Sequence, residues 1–308
     1  MSILASGKKV SIDLNGAQLS ESLLAQVVAA ASANSSISIN TANAVPITAL
    51  VSALSSGKNI SIIFNGAQLS AETLSQAVSA ASPNATVGIN TAQALSISAL
   101  ASALASGKKV SAEFNGAQLS ADGLEQAVAA SSVSANVGIT TAQASNIAVI
   151  NSVLSSGKSV SANFNGTQLV ANNLQQAVSS LSVNASINIL AAETASIETI
   201  RSSLSSGKNV AAAFNGAQLS ANNLQQAVVA IAGNASVSVN NAQSAPISTI
   251  ISVLSSGKKV TTEFSGDQLV ADNLQQAADI AVTSSTISIN TAQATSIQIL
   301  LALIAKAG

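Results

Sequence analysis

The residues with the means to do chemistry are few, and they recur. Lys8, Lys58, Lys108, Lys158, Lys208 and Lys258 each follow a Ser-Gly pair, and in a chain without His or Cys a serine with a lysine is one of the few routes left to a nucleophile. Asp13, Glu113 and Glu263 share a second column, whose other members are Ile63, Asn163 and Ala213, and paired carboxylates are the alternative route to acid–base work. Neither column has the shape of a site. Six copies of a lysine behind a helix end read as capping and solubility. Carboxylates a whole repeat apart, about 10 Å when a repeat holds two strands, are too distant to share a proton or a substrate bond. The missing Cys and His also exclude disulfides and thiolate or imidazole metal sites. The Asn-Gly and Ser-Gly-Lys motifs are turn and cap chemistry, and no phosphate loop is present. The expectation is a protein that is not an enzyme and uses no cofactor.

These columns exist because the chain repeats. KVSIDLNGAQLSESLL at 9–24 returns five times at a spacing of fifty residues, without insertion, in copies at about 9–58, 59–108, 109–158, 159–208, 209–258 and 259–308. Such periodicity marks a stacked array whose units pack mainly on their neighbours, so the expected organisation is one repeat domain, 1–308.

Composition narrows the partners. Charged residues make up 7% of the chain against roughly 25% in ordinary domains, and the formal net charge is −1, so no strong field is available to gather nucleic acid or acidic lipid. Ser, Asn, Gln and Thr replace charge, which leaves association between copies less opposed than usual. No run approaches the ~18 consecutive apolar residues needed to cross a bilayer, so no membrane insertion is expected. Residues 1–25 lack a basic start followed by an apolar run, so no standard signal peptide is expected. Absence of Cys suits a reducing cytosol and a secreted protein alike.

Each repeat must supply two strands and two helices. Ile12 and Leu14 alternate with Ser11 and Asp13, the period of a strand with one buried face. The inward column reads Leu14, Phe64, Phe114, Phe164, Phe214, Phe264, which includes every Phe in the chain and predicts a buried spine. Two places earlier the column reads Ile12, Ile62, Ala112, Ala162, Ala212, Thr262, with side chains that shrink beside the ring in the later repeats. After Asn-Gly, Leu19-Ser20 opens a helix: Ser20, Ser70, Ser120 and Ser220 are placed to cap it, and Leu19 with Leu24 to staple it. Val170 and Val270 lack that cap. Acids in the first turn, Glu21, Glu72, Asp122 and Asp272, favour the helix dipole. A second strand follows, Ser36 to Asn40, and then a second helix with Ile47, Leu50 and Leu54 inward, Pro46 in its first turn, Gly57 as a left-handed C-cap and Lys58 on its terminal carbonyls.

Strands joined through helices run parallel. Because they alternate rather than read as continuous apolar runs, helices cover one face only. The expected fold class is α/β: a curved right-handed α/β solenoid of twelve strand–helix units, with one parallel sheet and the helices on its outer face. The spacing of Ile12, Leu14, Ala17 and Leu19, followed by inward Leu24 and Val28, resembles the leucine-rich repeat family and its ribonuclease-inhibitor-like branch over essentially the whole chain. In that core Ala17, Ala67, Ala117 and Ala217 stand where the family has Asn, and Asn15 falls two places early. The resemblance implies a horseshoe and recognition of a protein partner on its concave sheet.

The open face predicted in this way is small and smooth, without the Tyr, Trp and Arg anchors of binding hot spots. A specific contact is therefore expected where the repeat breaks: Ile63, Asn163, and the cluster Leu190, Glu193, Glu198 and Arg201, the last being the sole Arg. The ends are also informative: residues 1–8 match the last turn of a helix, and the segment Ile297 to Lys306 is more apolar than its cousins, so self-association through uncapped ends is a second expectation. The functional expectation is a repeat scaffold for protein–protein interaction. The alternatives are a self-associating structural element and an ice- or glycan-binding surface.

Overall fold

A computed structural model describes residues 11–265, 268 and 270–290. The end segments 1–8 and Ile297 to Lys306, on which the expectation of end-to-end association rests, lie outside them. The chain falls into two compact units, Met1–Ala162 and Asn163–Gly308. The first holds β1 (Ser11–Asn15), α1 (Glu21–Ala30), β2 (Ser36–Asn40), α2 (Ile47–Ser55), β3 (Asn59–Asn65), α3 (Ala71–Ala80), β4 (Thr86–Asn90), α4 (Ile97–Ala105), β5 (Lys109–Asn115), α5 (Ala121–Ala130), β6 (Asn136–Thr140), α6 (Ile147–Ser155) and the start of β7 (Val160–Asn165). The second holds the end of β7, then α7 (Ala171–Ser180), β8 (Ser186–Leu190), α8 (Ile197–Leu204), β9 (Val210–Asn215), α9 (Ala221–Ala230), β10 (Ser236–Asn240), α10 (Ile247–Leu254), β11 (Val260–Ser265), α11 (Ala271–Ile280) and β12 (Ser285–Asn290). Strand order is chain order, and the pairing is parallel. Short 3-10 turns such as Gly16–Gln18 and Ala42–Ala44 join many of the strands to the helices that follow.

The alternation read from sequence decides which face is covered. Ile60, Ile62 and Phe64 of β3 are buried against the helices, while Ser61 and Ile63 on the other face stay half-exposed. Leu24, Leu50, Leu54 and their repeats among the described residues are buried from the helical side, and Ala77, Ala127, Ala177, Ala227 and Ala277 let neighbouring helices close in. The five Phe are 1–3% exposed, as the spine required. Each unit thus repeats a strand and a helix on one parallel sheet, with no second helical layer among the described residues, which makes the fold α/β and solenoid-like.

Register adds what periodicity alone conceals. From β1 to β2 the partner of Leu14 is Ile39, an offset of 25, but from β2 to β3 the partner of Ile39 is Ile62, an offset of 23. The same alternation recurs in the second unit, where Val239 pairs with Phe214 on one side and Thr262 on the other. Two strands therefore advance 48 positions while the sequence advances fifty, and equivalent residues climb one place per strand on average. At ~3.3 Å per residue and ~4.8 Å per strand this is a slant of about 35°, the tilt of sheets whose shear equals their strand number, as in (β/α)8 barrels. The Phe column is accordingly diagonal. The lateral neighbours of Phe64 are Ile89 and then Ala112, and those of Phe114 are Ile139 and then Ala162. In the first repeat, where Leu14 replaces Phe, the same row ends on Ile62. Volume is conserved along the row, not only along the strand.

Local expectations hold with three differences. Ser20, Ser70 and Ser120 accept from the amides of Leu23, Thr73 and Gly123, and Val170 and Val270 make no cap bond. Ser220 stands at the cap but makes no cap bond either. Pro46 is the N-cap of α2 rather than its first residue. Lys58 does not serve its own helix: Nζ donates to the carbonyl of Ala31, which ends the preceding helix α1, at 2.6 Å. Lys108 to Ala81 (2.7 Å), Lys158 to Ser131 (2.6 Å), Lys208 to Leu181 (2.8 Å) and Lys258 to Ile231 (2.9 Å) repeat that clamp.

Candidate functional site

The C-terminal edge of the strands is the most elaborated part of each unit. Asn15 closes β1, and its Oδ1 accepts from the amide of Ala17 at 3.0 Å and from the hydroxyl of Thr41 at 2.6 Å. Thr41 reaches it from a left-handed backbone, φ 53°, and Thr91, Thr141, Ala191 and Asn241 share that conformation. From the turn beyond it, Asn43 crosses to β3: Oδ1 accepts from the amide of Asn65 at 2.7 Å and Nδ2 donates to its carbonyl at 3.2 Å. Gln93 accepts from the amide of Asn115 at 3.1 Å, Glu193 from Asn215 at 2.9 Å and Gln243 from Ser265 at 3.0 Å. This ladder of side-chain carbonyls, one strand further on in the chain than Ala17, satisfies backbone donors at the edge of the sheet.

The six residues singled out by their departure from the repeat divide among three places. Leu190, 45% exposed, ends β8 where other copies carry Asn or Thr. Glu193 is a rung of the ladder and supplies the oxygen that Asn43, Gln93 and Gln243 supply in other repeats. Beside them, Thr194 donates to the carbonyl of Ala191 at 2.7 Å and meets the hydroxyl of Thr167 at 3.4 Å, so Thr167 and Thr194 enter where Ala191 has lost the usual hydroxyl. Glu198 lies in the first turn of α8 and accepts from Ser196 at 3.1 Å. Its own backbone amide, the Ser196 hydroxyl and the Arg201 charge hold its carboxyl below the usual glutamate range. Arg201 reaches across to α9 and donates to Gln226 Oε1 at 3.3 Å. Asn163 sits on the open sheet face, where Asn188 donates to it at 2.8 Å. Ile63 occupies that face in the first unit and overlies Gly88, so that a Cβ at Gly88 would meet Ile63 at 3.3 Å. Glu113 overlies Gly138 in the same way.

Charge at both edges is matched to the helices. In the first unit Glu21, Glu72 and Asp122 stand at helix N-termini while Lys58, Lys108 and Lys158 bind C-terminal carbonyls, which offsets the dipoles of those helices. A depression of about 450 Å³ is lined by Ser56, Gly57, Lys58, Asn59, Asn84 and Lys109, but Lys58 and Asn84 spend donors on the carbonyls of Ala31 and Gly57. No group of three or more acidic residues able to hold a metal exists among the described residues. None of their helices is long and apolar enough to cross a membrane. Sequence reasoning missed the left-handed Thr column and the ladder. Their signal was the recurrence of Asn-Thr at 40–41 and 90–91 with an amide side chain at 43, 93, 143 and 243.

No protein-family model matches the chain, and no curated protein matches it. Among solved structures, similarity extends to the crystal structure of the Rad7 and Elc1 complex in yeast, at 8% identity and TM-score 0.48, covering 85% of this chain and 77% of that chain. A truncated 3-deoxy-D-arabino-heptulosonate 7-phosphate synthase from Thermotoga maritima is similar at 11% identity and TM-score 0.30, covering 78% of each chain. A 2,3-dimethylmalate lyase of the PEP mutase/isocitrate lyase superfamily is similar at 13% identity and TM-score 0.30, covering 77% of this chain and 84% of that one. At these identities and scores the likenesses carry no argument about function. Fold and edge together define the class: an α/β solenoid-like tandem-repeat protein.

Proposed function

We propose that the protein is a non-enzymatic repeat scaffold of leucine-rich-repeat type that binds another protein. The observation that carries this reading is the sheet face left without helices, whose outward residues Ser61, Ser111, Ser161 and Ala211 are small and half-exposed. Such a surface admits a partner backbone closely and offers no acid, base or nucleophile convergent on a point. We take the partner contact to extend from that face over the strand edge at Leu190 to Arg201 on α8, a segment where an exposed apolar side chain and an exposed acid replace the repeat's own residues. The test restores that segment to the repeat sequence (Leu190→Asn, Ala191→Thr, Glu193→Gln, Glu198→Ser, Arg201→Ala) and compares capture of purified candidate partners by the two proteins. A partner held by the natural sequence and lost by the restored one supports the reading; equal capture by both removes the segment from it.

A second reading, self-association, is favoured by exposed Val133, Val183, Val229 and Val170 on a chain of formal net charge −1. Light scattering against concentration separates the two: growth into larger particles supports assembly, and a constant monomer mass supports the scaffold.

A further inference from the structure

Five of the six repeats place Asn before Gly at the end of the first strand: Asn15-Gly16, Asn65-Gly66, Asn115-Gly116, Asn165-Gly166 and Asn215-Gly216. In an unfolded chain this pair is reactive because glycine leaves the following peptide nitrogen unshielded. That nitrogen attacks Asn Cγ, and a new C–N bond closes a five-membered succinimide. The side-chain amide leaves as ammonia, taking up the attacking nitrogen's proton, and water then opens the ring to Asp or isoaspartate. The balance needs only water.

The fold opposes the first step. Asn15 Oδ1 is held by the Ala17 amide and the Thr41 hydroxyl, Asn65 by Ala67 (3.0 Å) and Thr91 (2.7 Å), and Asn115 by Ala117 (3.0 Å) and Thr141 (2.8 Å). The backbone is extended, with φ −88° and ψ 113° at Asn15. Two of the attacking nitrogens are also occupied: Gly116 donates to the carbonyl of Thr140 at 2.8 Å and Gly216 to that of Asn240 at 2.7 Å. Turning Cγ toward the glycine nitrogen breaks these bonds.

The clamp is not uniform. Asn115 and Asn215 occupy matched turns, yet the second donor to Asn115 is the Thr141 hydroxyl at 2.8 Å and the second donor to Asn215 is the Asn241 amide at 3.4 Å. We propose that the Asn-Gly column is a set of spontaneous deamidation sites held shut by the fold, and that Asn215 opens ahead of Asn115.

The test incubates the full-length folded protein at mildly alkaline pH and maps deamidated and isoaspartyl peptides by mass spectrometry, beside a sample in urea. All five sites should convert quickly in urea, and in the folded protein Asn215 should convert severalfold faster than Asn115. Asn241→Thr should bring Asn215 down to the rate of Asn115, and the reciprocal Thr141→Asn should raise Asn115 to the rate of Asn215. Equal rates folded and in urea, an Asn215 no faster than Asn115, or swaps without effect overturn the proposal. Urea midpoints of both variants are measured alongside. A variant in which all five sites accelerate together as the midpoint falls also counts against a local clamp.

Discussion

Phe64 and Ala112 lie in one lateral row of the sheet, two strands apart, with Ile89 between them and all three turned toward the helices. The first repeat fills the corresponding row with Leu14, Ile39 and Ile62, exchanging a ring for a branched chain two strands away. Phe64→Leu should cost about 1–2 kcal/mol through the space it leaves. Ala112→Ile alone should cost about 1–3 kcal/mol through overpacking. The double variant, which copies the first repeat's own solution, should recover about 1 kcal/mol or more over the sum, read from urea unfolding as a coupling energy. Strict additivity would mean that the row does not share its volume.

The lysine clamp ties consecutive helices. Lys58→Met keeps most of the stem and removes the donor to Ala31, so unfolding in urea should show a loss of about 1–2 kcal/mol. Lys109, at the start of β5, has an exposed side chain and stands outside the clamp column. Lys109→Met is therefore the control and should change stability little.

The two glycine columns answer to different forces. Gly57 has φ 76° and open space around it, so Gly57→Ala should cost about 1 kcal/mol of left-handed strain. Gly66 has an ordinary φ but no room, a Cβ there lying 2.6 Å from the Thr91 carbonyl, and Gly66→Ala should cost about 3 kcal/mol. Thermal unfolding of the two variants gives the order directly.

Thr262 is fully buried in the row of Phe214, and its hydroxyl has no hydrogen-bond partner. Thr262→Val keeps the shape and removes the stranded group, so stability should rise by about 1 kcal/mol. Unfolding curves showing a loss would indicate that the hydroxyl is satisfied in solution.

Glu198 titrates below the ordinary glutamate range because its backbone amide, then Ser196, then Arg201 favour the carboxylate. A folded pKa below the unfolded one stabilises above the unfolded value, and that contribution fades as pH falls through the folded value. Side-chain NMR titration should place Glu198 below its unfolded-state value, and Ser196→Ala should raise it.

Much of the fold was legible in the sequence because its signals are local. Alternation at Ile12 and Leu14, the Ser20 cap and Gly57 each depend on a few consecutive residues, and fifty-residue recurrence multiplies them. What escapes such a reading is relational. Sequence distance assigns Lys58 to its own helix, whereas the acceptor that needs a donor is Ala31, 27 positions earlier. The repeat aligns the Phe residues as one column; pairing offsets of 25 and 23 set them on a diagonal. Of the candidate contact residues, Leu190 remains on the surface as an unexplained departure from the repeat, while Arg201 bonds Gln226 on the next helix. Glu193 is a rung in the edge ladder, which only the amide of Asn215 reveals.

The mismatch between pairing and periodicity acts as a vernier for anything laid on the uncovered face. A guest crossing the first unit at right angles to the strands would meet Asp13, Ser38, Ser61, Thr86 and Lys109, running from an acid through hydroxyls to a base. To touch the same residue type in each copy it would have to cross obliquely instead. A surface built by duplication is thereby made unequal along its straight rows, with a polarity that tells a visitor which way round to lie.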